Sequence, residues 1–423
     1  MRVLSPRNRE LLNLIAVGML TGLGFTSVYI ARSEVVSPES LTYAAFFLLV
    51  YLVAHVVTRL TVPYADPYLL PMAGLLTAIG LTEIYRLNPD DAFRQGLWVV
   101  IGVALFSVTL VVLRHDYRRL ESYKYVIGLV ALALLVLPAL PVIGRDIRGA
   151  RLWVEVGPFR VQPGEFAKIL LIVFLAGYLR EKREVLAQGR LKDFGPLLLI
   201  WGGAMAVLVQ TNDLGSGLLY FGIFLGMLYV ATGRVVFVVG GMALFLAGAA
   251  FVYQVISRVQ DRVMIWLDPW PYANDESYQL VQSLFAIAFG GFGGTGLGRG
   301  TFTTTAGTNL IPDLNTDFIY AALAHELGLA GIAAVLLVYM LVVARGFRVA
   351  MLAQDGFSKL LAAGLTFGFA LQTFIIVGGV LRLIPLTGIT LPFVSYGGSS
   401  LLANFILLAL LLLVSNRALA PRD

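Results

Sequence analysis

The sequence predicts an all-α, polytopic integral membrane protein of about twelve transmembrane helices, and three observations carry that prediction. The 423 residues are 58% hydrophobic and only 13% charged, where a soluble domain carries about 25% charged residues. The apolar residues gather into runs of roughly 18 to 25, the length that crosses a ~30 Å hydrocarbon core as a helix. No strand alternation long enough for a transmembrane barrel interrupts them. A soluble globular fold is excluded.

In chain order the expected spans are 10–31, 41–60, 67–86, 95–113, 124–144, 165–180, 195–210, 214–232, 234–256, 318–344, 357–381 and 398–415. The first follows Arg2, Arg7 and Arg9. It is about 20 residues long and lacks a convincing A-x-A cleavage site, so it reads as a retained anchor rather than a signal peptide. The span 165–180 is the weakest, because it carries Glu165 and Lys168. With the N-terminus inside, nineteen of the thirty-one Lys and Arg fall in cytoplasmic segments and eleven in outside segments. That bias places both termini in the cytoplasm. Seven of the eleven outside arginines concentrate in two segments, 145–164 and 257–317, which marks both for work other than orientation.

Several chemistries are excluded by composition. The chain has no cysteine, hence no disulfide, thiolate metal site or cysteine nucleophile. Its three histidines, His55, His115 and His325, are too scattered for an imidazole metal site, so any metal would be held by oxygen ligands. The net charge of +6 follows from topology and does not point to nucleic acid.

Five segments carry polar chemistry at the membrane. The longest connection, 257–317, lies outside and contains Arg258, Arg262, Asp268, Asp275, Glu276, Tyr278, Gln279, Gln282 and Ser283 among prolines and aromatics. It runs on into 290–300, where seven of eleven residues are glycine. Such a stretch either lets backbone amides approach an anion or forms a re-entrant turn. Its GxGxxG pattern follows no strand, and no Lys-Ser or Lys-Thr follows it, so neither a dinucleotide site nor a P-loop is expected.

The second segment holds Arg151, Trp153, Gln162, Glu165 and Lys168. On a helix begun after Pro163, Glu165 and Lys168 share a face at i and i+3. They form either a structural ion pair or charges facing a substrate path. Asp213 in 210–215, and Asp317 and Glu326 in 316–328, are read in the same two ways, whereas Glu83 and His55 read as structural. The last segment, 385–400, contains two prolines, three glycines and the hydroxyls of Ser395, Tyr396, Ser399 and Ser400. It cannot continue a helix and is expected to form a polar rim around a cavity.

Together these segments resemble the SEDS family (shape, elongation, division and sporulation), the bacterial RodA, FtsW and SpoVE proteins. The resemblance runs from about residue 67 to 415 through GARLW, QPGEFAK, TNDLGSG, YQLVQS, TDFIYAALAHELG and LPFVSYGGSS. It implies a SEDS membrane domain at 67–423 preceded by two extra helices at 1–66, as in Gram-positive variants. The implied activity is that of a peptidoglycan glycosyltransferase of the bacterial cytoplasmic membrane. It polymerises lipid II at the outer face, releasing undecaprenyl diphosphate. Residues 378–388 lean toward elongation-type members.

The resemblance also assigns roles. Catalysis is expected from an aspartate of the long outer loop. Arg151, Trp153, Gln162, Glu165, Lys168, Arg258, Arg262, Tyr278, Gln279, Gln282, Ser283, Thr316, Asp317, Ser395, Tyr396 and Ser399 are expected to surround the substrate, with Mg²⁺ or Mn²⁺ as the implied cofactor and a class B penicillin-binding protein as partner. The usual DPxGxGYQ pattern places the base six residues before the tyrosine, but here that position is Tyr272. Asp275 is the first choice for the base and Asp268 the second, with Glu276 a further candidate. A lipid II flippase and a non-catalytic scaffold for the transpeptidase remain as alternative readings.

Overall fold

The computed structural model describes residues 5–33, 38–140, 143–147, 150–157, 159–187, 195–302 and 310–421. Twelve helices stand where spans were expected. In order, α1 is Pro6–Ser33, α2 Pro38–Thr61, α3 Leu69–Leu87, α4 Pro89–Leu113 and the short α5 Arg119–Ser122. Then come α6 Lys124–Val136, α7 Pro163–Ala187, α8 Gly195–Gln210, α9 Leu214–Thr232 and α10 Val235–Val255. After α11 Ser257–Leu267 and α12 Tyr278–Gly290, the chain ends with α13 Ile319–Leu352, α14 Gly356–Val380 and α15 Gly398–Leu419. Eight of them are long and apolar enough to cross a membrane: α1, α2, α4, α9, α10, α13, α14 and α15. The chain is a multi-pass, all-α membrane protein.

Several boundaries differ from the sequence expectation, each for a local reason. Helix α4 starts at Pro89 rather than 95, because Asn88 caps it by accepting from the amides of Asp90 (3.0 Å) and Asp91 (3.4 Å), with proline at the first helical position. Helix α6 stops at Val136 instead of reaching 144, passing through a 3₁₀ turn that contains Pro138. Beyond it, an antiparallel sheet of three short strands, β1 Gly144–Ile147, β2 Ala150–Val156 and β3 Phe159–Val161, lies in the connection to α7. The connection 257–317 is not one irregular loop but carries α11 and α12.

Lipid tails are as apolar as leucine, so these helices associate through close packing rather than water exclusion. Helix α15 is the most enclosed, with 89% of its apolar window buried, and it packs chiefly on α4 and also on α7, α13 and α14. Helix α10 is the opposite case, with no buried residue. The N-terminal pair packs on the face of α3 and α4, where Phe25, Tyr43 and Tyr85 stack with centroids 5.1 to 5.3 Å apart. His55 is structural as expected, its Nδ1 lying 2.7 Å from Glu10.

Candidate functional site

One cavity of about 1420 Å³ opens among the connections at one end of the bundle. It is lined by residues of 91–98, 150–165, 212–214, 258–280, 313–318 and 379–400. By span parity all six stretches belong to the same side of the membrane, the side read from the sequence as outer. Four non-glycine residues with positive φ, Asn212, Asp313, Arg382 and Phe393, lie within or beside these lining stretches. Such backbone is held only where the surrounding structure over-determines it, and it clusters at ligand sites.

The inner part of the cavity is acidic and braced from behind. Lys168 is buried; its Nζ donates to Glu165 Oε2 at 2.8 Å and to Gln372 Oε1 at 2.6 Å. The amide of Gln372 in turn donates to the Thr390 carbonyl at 2.9 Å. Lys168 therefore does not reach the cavity, and its charge fixes Glu165, which does line it. Asp213 also lines the cavity while capping α9 through the Ser216 amide at 3.0 Å. Burial pushes its carboxyl up, with the Ser216 bond opposing.

The facing wall is α11. Arg258 and Arg262 stand one turn apart, with Asp261, Ile265 and Trp266 beside them on the cavity. The helix is tied to the 382–387 segment through Arg262 Nη1 to Thr387 O (3.4 Å), Trp266 Nε1 to Arg382 O (3.1 Å) and Arg382 Nη2 to Leu267 O (3.0 Å). The Arg262 guanidinium is pushed below its usual range by burial first and by the like charge of Arg258, with Asp213 and Asp317 opposing. Two clustered guanidiniums, one of them largely desolvated, form a wall ready for an anion with more than one charge.

The expected polar rim is present. Ser395 is buried; its hydroxyl donates to the Thr316 carbonyl at 2.6 Å and accepts from the Leu391 amide at 3.0 Å. Tyr396 N donates to Asn315 O at 2.8 Å and Gln162 N to Ser399 Oγ at 2.8 Å. These bonds pin three chain-distant connections together. Burial and the nearby Asp91 push the Tyr396 phenol up.

Of the residues expected around a substrate, Trp153, Gln162, Glu165, Arg258, Arg262, Gln279, Thr316, Asp317, Tyr396 and Ser399 line the cavity. Lys168 and Ser395 act from behind it. Arg151, Tyr278, Gln282 and Ser283 are not in the lining; the Ser283 hydroxyl is buried and donates to Leu280 O at 2.7 Å. Neither Asp275 nor Asp268 lines the cavity, whereas Glu276 and Asp261 do. Asp268 instead turns its carboxylate toward the Trp270 amide (3.4 Å), and Asp275 sits in a turn closed by its own amide on Tyr272 O and the Tyr278 amide on its carbonyl.

The glycine-rich stretch has two readings from the sequence, an anion-facing backbone or a re-entrant turn. Its amides do not face the cavity; Gly298 N and Gly300 N donate to the Glu326 carboxylate at 2.7 and 3.0 Å, and Arg86 Nε reaches the same group at 3.0 Å. The nest is occupied by the protein's own anion. Glu83, read from the sequence as structural, is buried close enough to Glu326 and Arg86 to interact with both charges.

Sequence reasoning missed Asp91, Arg94, Trp98, Arg160, Asp261 and Asp313, all of which line the cavity. The Asn-Pro-Asp-Asp start of α4 was the available signal for the first three, since it moves the helix end to 89. For Asp261 the signal was its position between Arg258 and Arg262 on one helical turn. No three His, Asp or Glu side chains among the described residues come together as metal ligands.

The sequence of residues 67–419 matches the model of the cell cycle protein family FtsW/RodA/SpoVE. The chain belongs to this family. It is 42% identical over 436 residues to the peptidoglycan glycosyltransferase RodA of Mycobacterium tuberculosis, covering 98% of this chain and 92% of that one. It is 36% identical over 373 residues to the stage V sporulation protein E of Bacillus subtilis, covering 85% and 98%. Among solved structures, a chain of a peptidoglycan synthase complex that coordinates polymerization and crosslinking superposes with a TM-score of 0.70 at 28% identity, covering 84% of this chain and 98% of that one. The rod shape determining protein RodA of Thermus thermophilus gives 0.61 at 26% identity, covering 85% and 98%. The family match begins at 67, so α1 and α2 lie outside it.

Proposed function

We propose that this family member is a peptidoglycan glycosyltransferase that polymerises lipid II at the outer face of the bacterial cytoplasmic membrane. The observation that carries the reading is the cavity itself, which sets two arginines one helical turn apart, Arg262 largely desolvated, against carboxylates at the membrane boundary. Glycan extension needs a base for the 4-hydroxyl that attacks the anomeric carbon and cationic stabilisation for the departing diphosphate. Arg258 and Arg262 serve the diphosphate. Glu276 is the carboxylate of the 268–276 turn that faces the cavity, and we assign it the base. Glu165, held by Lys168, and Asp317 position sugar hydroxyls. The outer placement rests on the charge bias of the connections, and the relatives named as peptidoglycan glycosyltransferases support the activity.

A divalent cation at this site would take part of its coordination from the substrate's phosphates, as Mg²⁺ commonly does, and no step here is routed through it. The structural likeness to a chain of a synthase complex supports a crosslinking partner of the class B penicillin-binding type.

The test is glycan-strand formation from purified lipid II by the chain reconstituted with that partner, its transpeptidase blocked by a β-lactam. Glu276→Gln is expected to lower the rate by about 100-fold or more, with Asp268→Asn near wild type. If Asp275→Asn abolishes strands while Glu276→Gln does not, the base is Asp275 and the turn rotates by one residue on binding. No strands from the wild-type complex would favour the flippase or scaffold reading.

A further inference from the structure

Helix α12 is 13 residues long, about 20 Å, too short to cross a ~30 Å core. Its exposed face carries Phe285 and Phe289, one turn apart, followed by Phe292 in the turn; Phe289 and Phe292 are each 76% exposed. Leaving such rings in water forfeits roughly 1.5–3 kcal/mol each, so something apolar is expected to cover them.

Depth along α13 says what covers them. Arg345 closes the inner end of its apolar run, paired with Asp66 at 3.3 Å. Counting back a ~30 Å core at ~1.5 Å per residue puts the outer hydrocarbon boundary near residue 325. Leu329 and Ala330 then lie about 6–8 Å inside it by the same rise. Gly328 breaks the helix there, with φ 67° and ψ −173°, so those two amides have lost their helical acceptors. The Gly291 and Phe292 carbonyls take them, at 2.9 and 3.1 Å. Across the break, the Thr295 and Gly296 amides donate to the His325 and Glu326 carbonyls at 3.0 and 2.9 Å.

The two interruptions therefore satisfy each other's backbone, the condition under which irregular chain is tolerated at membrane depth. A side chain at Gly294 would meet the Glu326 carbonyl at 2.1 Å, which shows how closely they approach. On α13, whose Leu329 amide bonds to Gly291 O, the side chains of Leu329, Leu337 and Met340 are exposed as well, the face that a spanning helix turns to lipid.

We infer that α12 and the turn after it are a re-entrant element inserted into the cavity-side leaflet, with Phe285, Phe289 and Phe292 against lipid acyl chains. This placement does not depend on the proposed activity. Its consequence is that the cavity wall formed by Gln279 and Leu280, on the first turn of α12, stands at the edge of the hydrocarbon. A lipid-linked substrate can then reach it while its tail stays in the leaflet.

The absence of cysteine makes the test direct. Phe285→Cys, Phe289→Cys and Phe292→Cys are made singly in the full chain, nitroxide-labelled and reconstituted in phosphatidylglycerol–phosphatidylethanolamine vesicles. Met340→Cys serves as lipid reference and Asn274→Cys as water reference. Label accessibility is read by spectral saturation with oxygen, which partitions into lipid, and with a water-soluble nickel chelate. The expected result is oxygen accessibility several-fold above nickel accessibility at all three positions, as at Met340. Nickel accessibility equal to that at Asn274 overturns the inference in favour of a water-facing surface. Protection from both reagents overturns it in favour of a face covered by protein, whether a second copy or the transpeptidase. A variant that does not remain monodisperse in detergent is read through the other two positions.

Discussion

Residues 290–300 and 385–400 are both glycine-containing interruptions at helix breaks, yet they end in opposite situations. In the first, the amides of Gly298 and Gly300 close on the Glu326 carboxylate and Arg86 completes the neutralisation. In the second, Ser395 and Gln95 hold the backbone from behind while Tyr396, Ser399 and Ser400 line the cavity. Glycine content does not distinguish a ligand site from a structural joint. What distinguishes them is whether the protein supplies its own anion.

The sharpest way to break the comparison is Glu326→Ala. It leaves the Gly298 and Gly300 amides without their acceptor and takes a carboxylate from beside Arg86, and removing one member of a buried charged set costs about 3–5 kcal/mol. The expected outcome is loss of most folded protein on thermal unfolding in detergent, with Glu326→Gln recovering only part. Near-wild-type stability would mean that the glycine segment is free to serve a ligand after all.

On the open side, Arg262→Gln is expected to lower strand formation about 10- to 100-fold, the equivalent of one charge-assisted hydrogen bond of ~1.5–3 kcal/mol. The stability change should be roughly a quarter or less of that for Glu326→Ala, because the guanidinium lines the cavity and its bond to Thr387 O is long, at 3.4 Å. Equal losses of stability in the two variants would erase the distinction between joint and site.

The smallest effect concerns pH. Burial raises the Asp213 carboxyl above its unfolded value of about 3.9. A group so raised contributes stability that is complete below the unfolded value and is lost as pH rises through the folded value. Asp213→Asn keeps a capping oxygen for Ser216, so it should remove this decline. Unfolding temperatures of the two proteins, followed upward from about pH 4, should diverge in favour of the variant.

Much of this architecture was legible in the sequence because lipid imposes a length and a composition on anything that crosses it. Runs of apolar residues placed all twelve helices, and their parity put the cavity-lining connections on one side. The Glu165–Lys168 spacing correctly foretold a contact, since i and i+3 share a helical face. Where a local signal was read too coarsely, the boundary moved: Pro138 ended α6 early, and the Asn88 cap began α4 early enough to bring Asp91 and Arg94 to the cavity.

The sequence by itself determined the membrane class, the order of the twelve expected helices, and the polar segments that converge on one side. Only the tertiary structure decided which polar groups meet. Glu326 and Gly298 are 28 residues apart and Ser399 and Gln162 are 237 apart, and no spacing rule links such positions. Whether a buried charge faces a cavity or another charge depends on which helices pack together. That choice is made by close complementarity summed over many small contacts, not by the period of any one segment.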